Sequence, residues 1–115
     1  MGYEMPATVA IEWDFGYDSL LLDRSPGVIG VDELNPSDLG LSPGLTRRLE
    51  ALLDRHERVY GYWVQQSMAG AEEDTDQERR DMADLRAETL DVAYAVQNEL
   101  GNSVDVLVDK RPLRN

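Results

Sequence analysis

The chain has 115 residues, 23 acids against 11 bases and no cysteine, for a formal net charge of −12. One domain is the expectation at this length, spanning 1–115, and the missing cysteines exclude disulfides, thiolate metal sites and cysteine nucleophiles. An acidic surface repels nucleic-acid phosphates and anionic membranes, and it attracts cations and basic proteins.

The N-terminus (Met1, Gly2, Tyr3, Glu4, Met5, Pro6) has neither a basic nor an apolar leader segment, and no later run approaches the ~20 apolar residues of a membrane span. The expectation is a soluble, cytoplasmic bacterial protein. Acidity is uneven: residues 1–44 hold eight acids and one base, 45–70 three and four, 71–100 ten and three, and 101–115 two and three.

Thr8 to Asp14 alternates, with Val9, Ile11 and Trp13 on one side, as a half-buried strand does. Pro26 followed by Gly27 suits a type II turn, after which Val28 to Val31 reads as the returning arm of a short hairpin. From Asp32 to Gly44 the density of Asp, Asn, Ser, Pro and Gly marks a surface loop pegged by Leu34, Leu39 and Leu41.

Ser42 and Pro43 signal a helix start. The apolar positions Leu45, Leu49, Leu52, Leu53, His56, Val59, Tyr60 and Trp63 follow the recurrence of a helix burying one side, continuing to about Met68. Ala71 to Asp76 reads as an acidic connector. Thr75 with Glu78 forms a capping-box pattern opening a second helix, whose buried stripe is Met82, Leu85, Thr89, Val92, Ala93, Val96 and Leu100, with Gly101 and Asn102 as its C-terminal cap. Val104, Val106 and Val108 alternate as a last strand, and Lys110 to Asn115 reads as a frayed tail in which Pro112 ends pairing. The expected fold is α+β: an antiparallel two-helix hairpin packed on one face of a small sheet that includes the N- and C-terminal strands.

Candidate sites are few. His56, the only histidine, projects from the centre of the first helix's apolar stripe and reads as a half-buried core residue bonded to a carbonyl or a tyrosine, with no partner for general-base work. Asp74, Asp76 and Glu78 alternate like the start of a calcium loop, but the turn glycine and the distal glutamate are missing, so no metal is expected. Phosphate-loop, dinucleotide and serine-hydrolase patterns are absent, and neither cofactor nor catalytic residue is assigned. Asp81, Asp84, Glu88 and Asp91 recur at helical spacing on the side expected to face away from Met82, Leu85 and Val96, either a solvated face or a docking surface for a basic partner. Phe15 and Tyr17, beside Asp14 and Asp18, have the composition of an interface anchor or of a cover over the open end of the sheet. Trp13, Tyr60, Trp63 and Tyr94 fit the core faces.

Val31 through Trp63, with Asp32, Glu33, Leu34, Leu39, Leu41, Ser42 and the Leu45 to Trp63 helix, resembles a group of short, acidic, uncharacterised actinobacterial proteins. These end similarly in a helix like Ala87 to Leu100, Gly101 and a strand like Val104 to Val108, whereas Ala69 to Gln77 is longer here. The resemblance implies neither function nor functional residues. Taken together, the residues lead to the expectation of a non-enzymatic binding protein that neutralises or escorts a basic protein partner, as immunity proteins and antitoxins do. The alternative is an assembly subunit that self-associates or joins a larger complex.

Overall fold

In the computed structural model, residues 5–70 and 75–113 are described, Thr75 by its backbone alone. Strand β1 is Thr8–Ile11, β2 is Leu21–Asp23, β3 is Glu33–Leu34, β4 is Asp105–Val108 and β5 is Arg111–Pro112. Helix α1 is Pro43–Met68 and α2 is Thr75–Leu100, with single 3-10 turns at Pro36–Leu39 and Gly101–Ser103. The sheet order is β3-β2-β1-β4-β5. The terminal strands are neighbours at its centre: β1 and β4 are parallel, with Val9 opposite Val106 and Ile11 opposite Val108, and all other pairs are antiparallel. A parallel pair needs a long crossover, which the helix hairpin supplies.

One sheet face carries the core. Val9, Ile11, Leu21, Leu34, Val106 and Val108 meet Leu45, Leu49 and Leu52 of α1 and Leu85, Val92 and Val96 of α2. At ~1.5–3 kcal/mol for each large side chain withdrawn from water, this layer is the main stabilising contribution. Burial along α1 stops at Leu52, and Leu53, Val59, Tyr60 and Trp63 are only half-buried. The helices therefore outrun the sheet as an arm, and the molecule measures 54 × 27 × 25 Å.

The ends of α1 and α2 are held by specific polar contacts. Ser42 Oγ accepts from the Leu45 amide at 3.2 Å while donating to Glu99 Oε2 at 2.6 Å, which ties the start of α1 to the end of α2. These Ser42 bonds to the charged form hold the Glu99 carboxyl below the usual range. The buried Gln97 side chain donates to the carbonyls of Gly101 and Val104, both at 2.8 Å, and accepts from the Val106 amide at 3.1 Å. It thus fixes the path from α2 into β4.

Several expectations are corrected. Strand β1 ends at Ile11 and β4 begins at Asp105, and the Asp32 to Gly44 loop contains β3 and a 3-10 turn. Val28 to Val31 is not the hairpin arm: Gly27 and Gly30 at φ 93° and 78° keep it in a loop, and β2 pairs instead with β3. The Pro26–Gly27 turn itself forms, closed by the Val28 amide on the Ser25 carbonyl at 3.1 Å. The tail is not frayed through Leu113. Asp109 and Lys110, at φ 54° and 66°, make the two-residue turn that folds β5 onto β4. Pro112 is tolerated there because β5 is an edge strand, and Leu113 donates to the Val106 carbonyl at 3.0 Å. Tyr94 is exposed, not core. The Thr75 cap and the connector at 71–74 lie outside the described residues.

Candidate functional site

The predicted acidic stripe does not form one free surface. Asp81 and Glu88 are half-buried and, with Asp91, turn towards α1. Asp81 accepts from Trp63 Nε1 at 3.2 Å and from Gln77 Nε2 at 2.7 Å, Glu88 pairs with Arg55, and Asp91 pairs with Arg48 at 3.0 Å. As numbers rise along α1 their partners' numbers fall along α2, the signature of an antiparallel hairpin. The reason is angular: this spacing places the acids on the flank of the Leu85–Val92 stripe, where the neighbouring helix supplies cations. Only Asp84 of the four is exposed without such a bond among the described residues. Arg48 and Arg55, seven residues apart on α1, were the sequence signal for this pairing.

Phe15 and Tyr17, the other predicted pair, share one loop, and the aromatic neighbours of Phe15 are Trp13 and Tyr60. The chain leaves β1 at Ile11 and turns through Asp14, whose Oδ1 accepts from the Phe15 amide at 2.8 Å and whose carbonyl accepts from the Tyr17 amide at 3.1 Å. Glu33 Oε1 accepts from the amides of Asp18 and Ser19 at 2.8 and 2.9 Å, fastening the far side of the same loop to β3. Phe15 is 59% exposed and meets Trp13 edge-on, ring centres 4.7 Å apart. Tyr60 lies under Trp13, stacked at 4.9 Å. An exposed ring is thus carried on a fixed aromatic base, in a loop that also holds Asp14 and Asp18 and is fastened by Glu33. Tyr17 is half-buried in the loop that holds it. Glu33 had no sequence signal as the residue that fastens this loop, because its contact reaches across from β3.

The base in this region is already committed: Arg24 grips Glu12 Oε2 through Nε and Nη2 at 2.9 and 2.7 Å. Arg58 pairs with Asp54 and Arg86 with Asp109. Each exposed pair contributes at most ~1 kcal/mol, but each also cancels a cation that would otherwise soften the acidic field.

Behind the aromatic base is an open cleft of about 700 Å³ between the ends of β1 and β4 and the two helices, lined by Trp13, His56, Tyr60, Met82, Thr89 and Arg86 among others. His56 stacks with Tyr60 and Trp13 at 6.0 and 5.9 Å. Its hydrogen-bond partner is Thr89, neither a carbonyl nor a tyrosine. The Thr89 hydroxyl donates to the Leu85 carbonyl at 2.7 Å, so its oxygen accepts from His56 Nε2–H at 3.2 Å and leaves Nδ1 as the unprotonated nitrogen. Burial, with a smaller contribution from the Arg55 charge, lowers the ring's pKa to about 4. At neutral pH the ring is uncharged, a weak base oriented by a threonine where a relay would have a carboxylate. Among the described residues no group of three or more histidine or carboxylate side chains is arranged to hold a metal ion, and no helix is long and apolar enough to cross a membrane.

The chain matches no protein-family model, no curated protein and no solved structure.

Proposed function

We infer that this protein is a non-enzymatic binding protein that neutralises or escorts a basic protein partner in the bacterial cytoplasm, in the manner of immunity proteins and antitoxins. The observation that supports this most is the exposed Phe15 ring on a loop that carries Asp14 and Asp18 and is fastened by Glu33, in a chain of net charge −12. A rigid exposed aromatic on an acidic loop has the composition of a binding hot spot: the ring supplies apolar area to bury and the acids supply steering. The helix stripe contributes long-range field but little contact, since Asp81, Glu88 and Asp91 already serve α1.

The test starts from partners captured from the native host at low salt, followed by association kinetics with the purified partner. Asp18→Lys should slow association about tenfold and Phe15→Ala should speed dissociation by a similar factor, while Asp84→Lys on α2 changes either rate by less than about twofold. Affinity should fall as salt rises. Tight binding indifferent to salt and to Asp18→Lys overturns the reading. Self-association through this same end is disfavoured, because two such acidic loops would meet as like charges.

A further inference from the structure

The cleft between the ends of β1 and β4 and the two helices holds about 700 Å³, within the range of small-molecule sites. Its walls are mainly apolar, with Trp13, Tyr60, Met82, Leu85 and Val108 beside His56. Two side-chain nitrogens of these wall residues, Trp13 Nε1 and His56 Nδ1, are buried without a hydrogen-bond partner among the described residues. They are complementary in kind: the indole N–H is a donor, and Nδ1 is an acceptor because Nε2–H is engaged with Thr89 Oγ1 at 3.2 Å. Buried polar groups are nearly always paired, so a donor and an acceptor left unpaired on one wall mark it as a place where a ligand completes the pairing. The two rings are neighbours, 5.9 Å between centres and 25° from parallel.

The charges of the lining narrow the ligand class. Glu12 is bound by Arg24 and Asp109 by Arg86, both at 2.7 Å, so neither carboxylate is left to hold a cation. Lys110 has no ion pair among the described residues, but it is exposed, and one lysine in a chain of net charge −12 attracts an anion only weakly. We propose that the cleft binds a small, uncharged, planar molecule of the cyclic-amide class, whose ring fills the apolar part of the cleft while its N–H donates to His56 Nδ1 and its carbonyl accepts from Trp13 Nε1–H. A cyclic amide carries the two groups side by side on one flat edge, which suits two neighbouring and nearly parallel rings. Both nitrogens are covered, so binding includes an adjustment of the wall side chains, and the unbranched Met82 is the lining residue best able to give way. The site and its ligand are independent of any protein partner at the Phe15 loop.

The chain has two tryptophans, and Trp63 Nε1 is bonded to Asp81 at 3.2 Å outside the cleft, so the two indole N–H signals of a nitrogen–proton correlation spectrum are a site and its internal control. Titration of the full chain with carbostyril, a bicyclic cyclic amide, should move the Trp13 signal to saturation with a Kd on the order of 1 mM or tighter and leave the Trp63 signal in place. N-methylcarbostyril, which keeps the rings and the carbonyl but lacks the N–H, should bind about tenfold more weakly. Naphthoate and N-methylquinolinium, an anion and a cation of similar size, should bind more weakly than carbostyril. His56→Phe keeps a flat ring and removes the acceptor, so it should bring carbostyril and its methyl derivative to equal affinity, and the dispersion of the spectrum checks that the variant is folded. The comparison of the two amides in the wild type stands without that variant. Absence of a saturable Trp13 shift up to the solubility limit of carbostyril overturns the proposal, as does equal affinity of the wild type for the methylated amide. Tighter binding of either ion overturns it, naphthoate in favour of an anion site at Lys110. Movement of both indole signals together in proportion to concentration shows non-specific association and overturns it as well.

Discussion

His56 shows how one residue's environment converts into a solution property. The folded chain keeps the ring neutral down to about pH 4, whereas in the unfolded chain it titrates near 6.5. Between those values the unfolded state binds the extra proton first. The stabilisation from this residue is therefore complete above pH 6.5 and disappears as pH falls towards 4. Carboxylates such as Glu99, held low by Ser42, lose their own contribution at still lower pH and tilt the curve in the same direction. The informative quantity is thus the difference between wild type and His56→Leu in urea-unfolding free energy: the wild type should lose stability between pH 6.5 and pH 4 with a slope the variant lacks. Equal slopes would mean that the ring is solvated in the native state.

At the scale of elements, what the sequence disclosed and what it hid have different physical origins. Periodicity reports burial, so α1, α2, β1 and β4 were legible from Leu45, Leu49, Leu52, Leu85, Val92, Val9 and Val106, all of which line the core. Short strands carry no period. Glu33–Leu34 and Arg111–Pro112 are two residues each and are fixed by their neighbours: β3 by pairing with Leu21, β5 by a turn whose residues are atypical. Periodicity also failed to say which polar residues flank a buried stripe and which oppose it, so Asp81 and Glu88 were placed in solvent when Trp63 and Arg55 claim them. The β4–β5 turn yields a prediction. Lys110 sits at φ 66° with a Cβ that disfavours that region, while Asp109 before it accepts the conformation and pairs with Arg86 at 2.7 Å. Lys110→Gly creates the Asp-Gly turn favoured in two-residue hairpins and should raise the unfolding free energy by about 0.5–1 kcal/mol in urea titration. A loss of stability would show that Lys110 makes a contact worth more than the backbone strain it imposes.

At the scale of the whole molecule, the net charge opposes the fold that carries it. Of the arginines, Arg24, Arg48, Arg55, Arg58 and Arg86 are engaged with acids, which leaves the excess of carboxylates facing one another across a body only about 25 Å thick. Salt acts on both contributions. It weakens the five ion pairs, each of which is exposed enough to supply at most ~1 kcal/mol, and it weakens the many longer-range repulsions at the same time. Screening reaches distant charges before close ones: the Debye length falls to about 10 Å at 0.1 M, which cuts off repulsion across the molecule while a pair at hydrogen-bond distance is little affected. The repulsive sum therefore falls faster than the attractive one. Raising NaCl from about 20 mM to about 200 mM should stabilise the protein by ~1 kcal/mol, or about 4 °C in thermal midpoint. A midpoint that falls with added salt would mean that the ion pairs between α1 and α2 outweigh the repulsion, and that the acidic excess is spaced widely enough to cost the fold nothing.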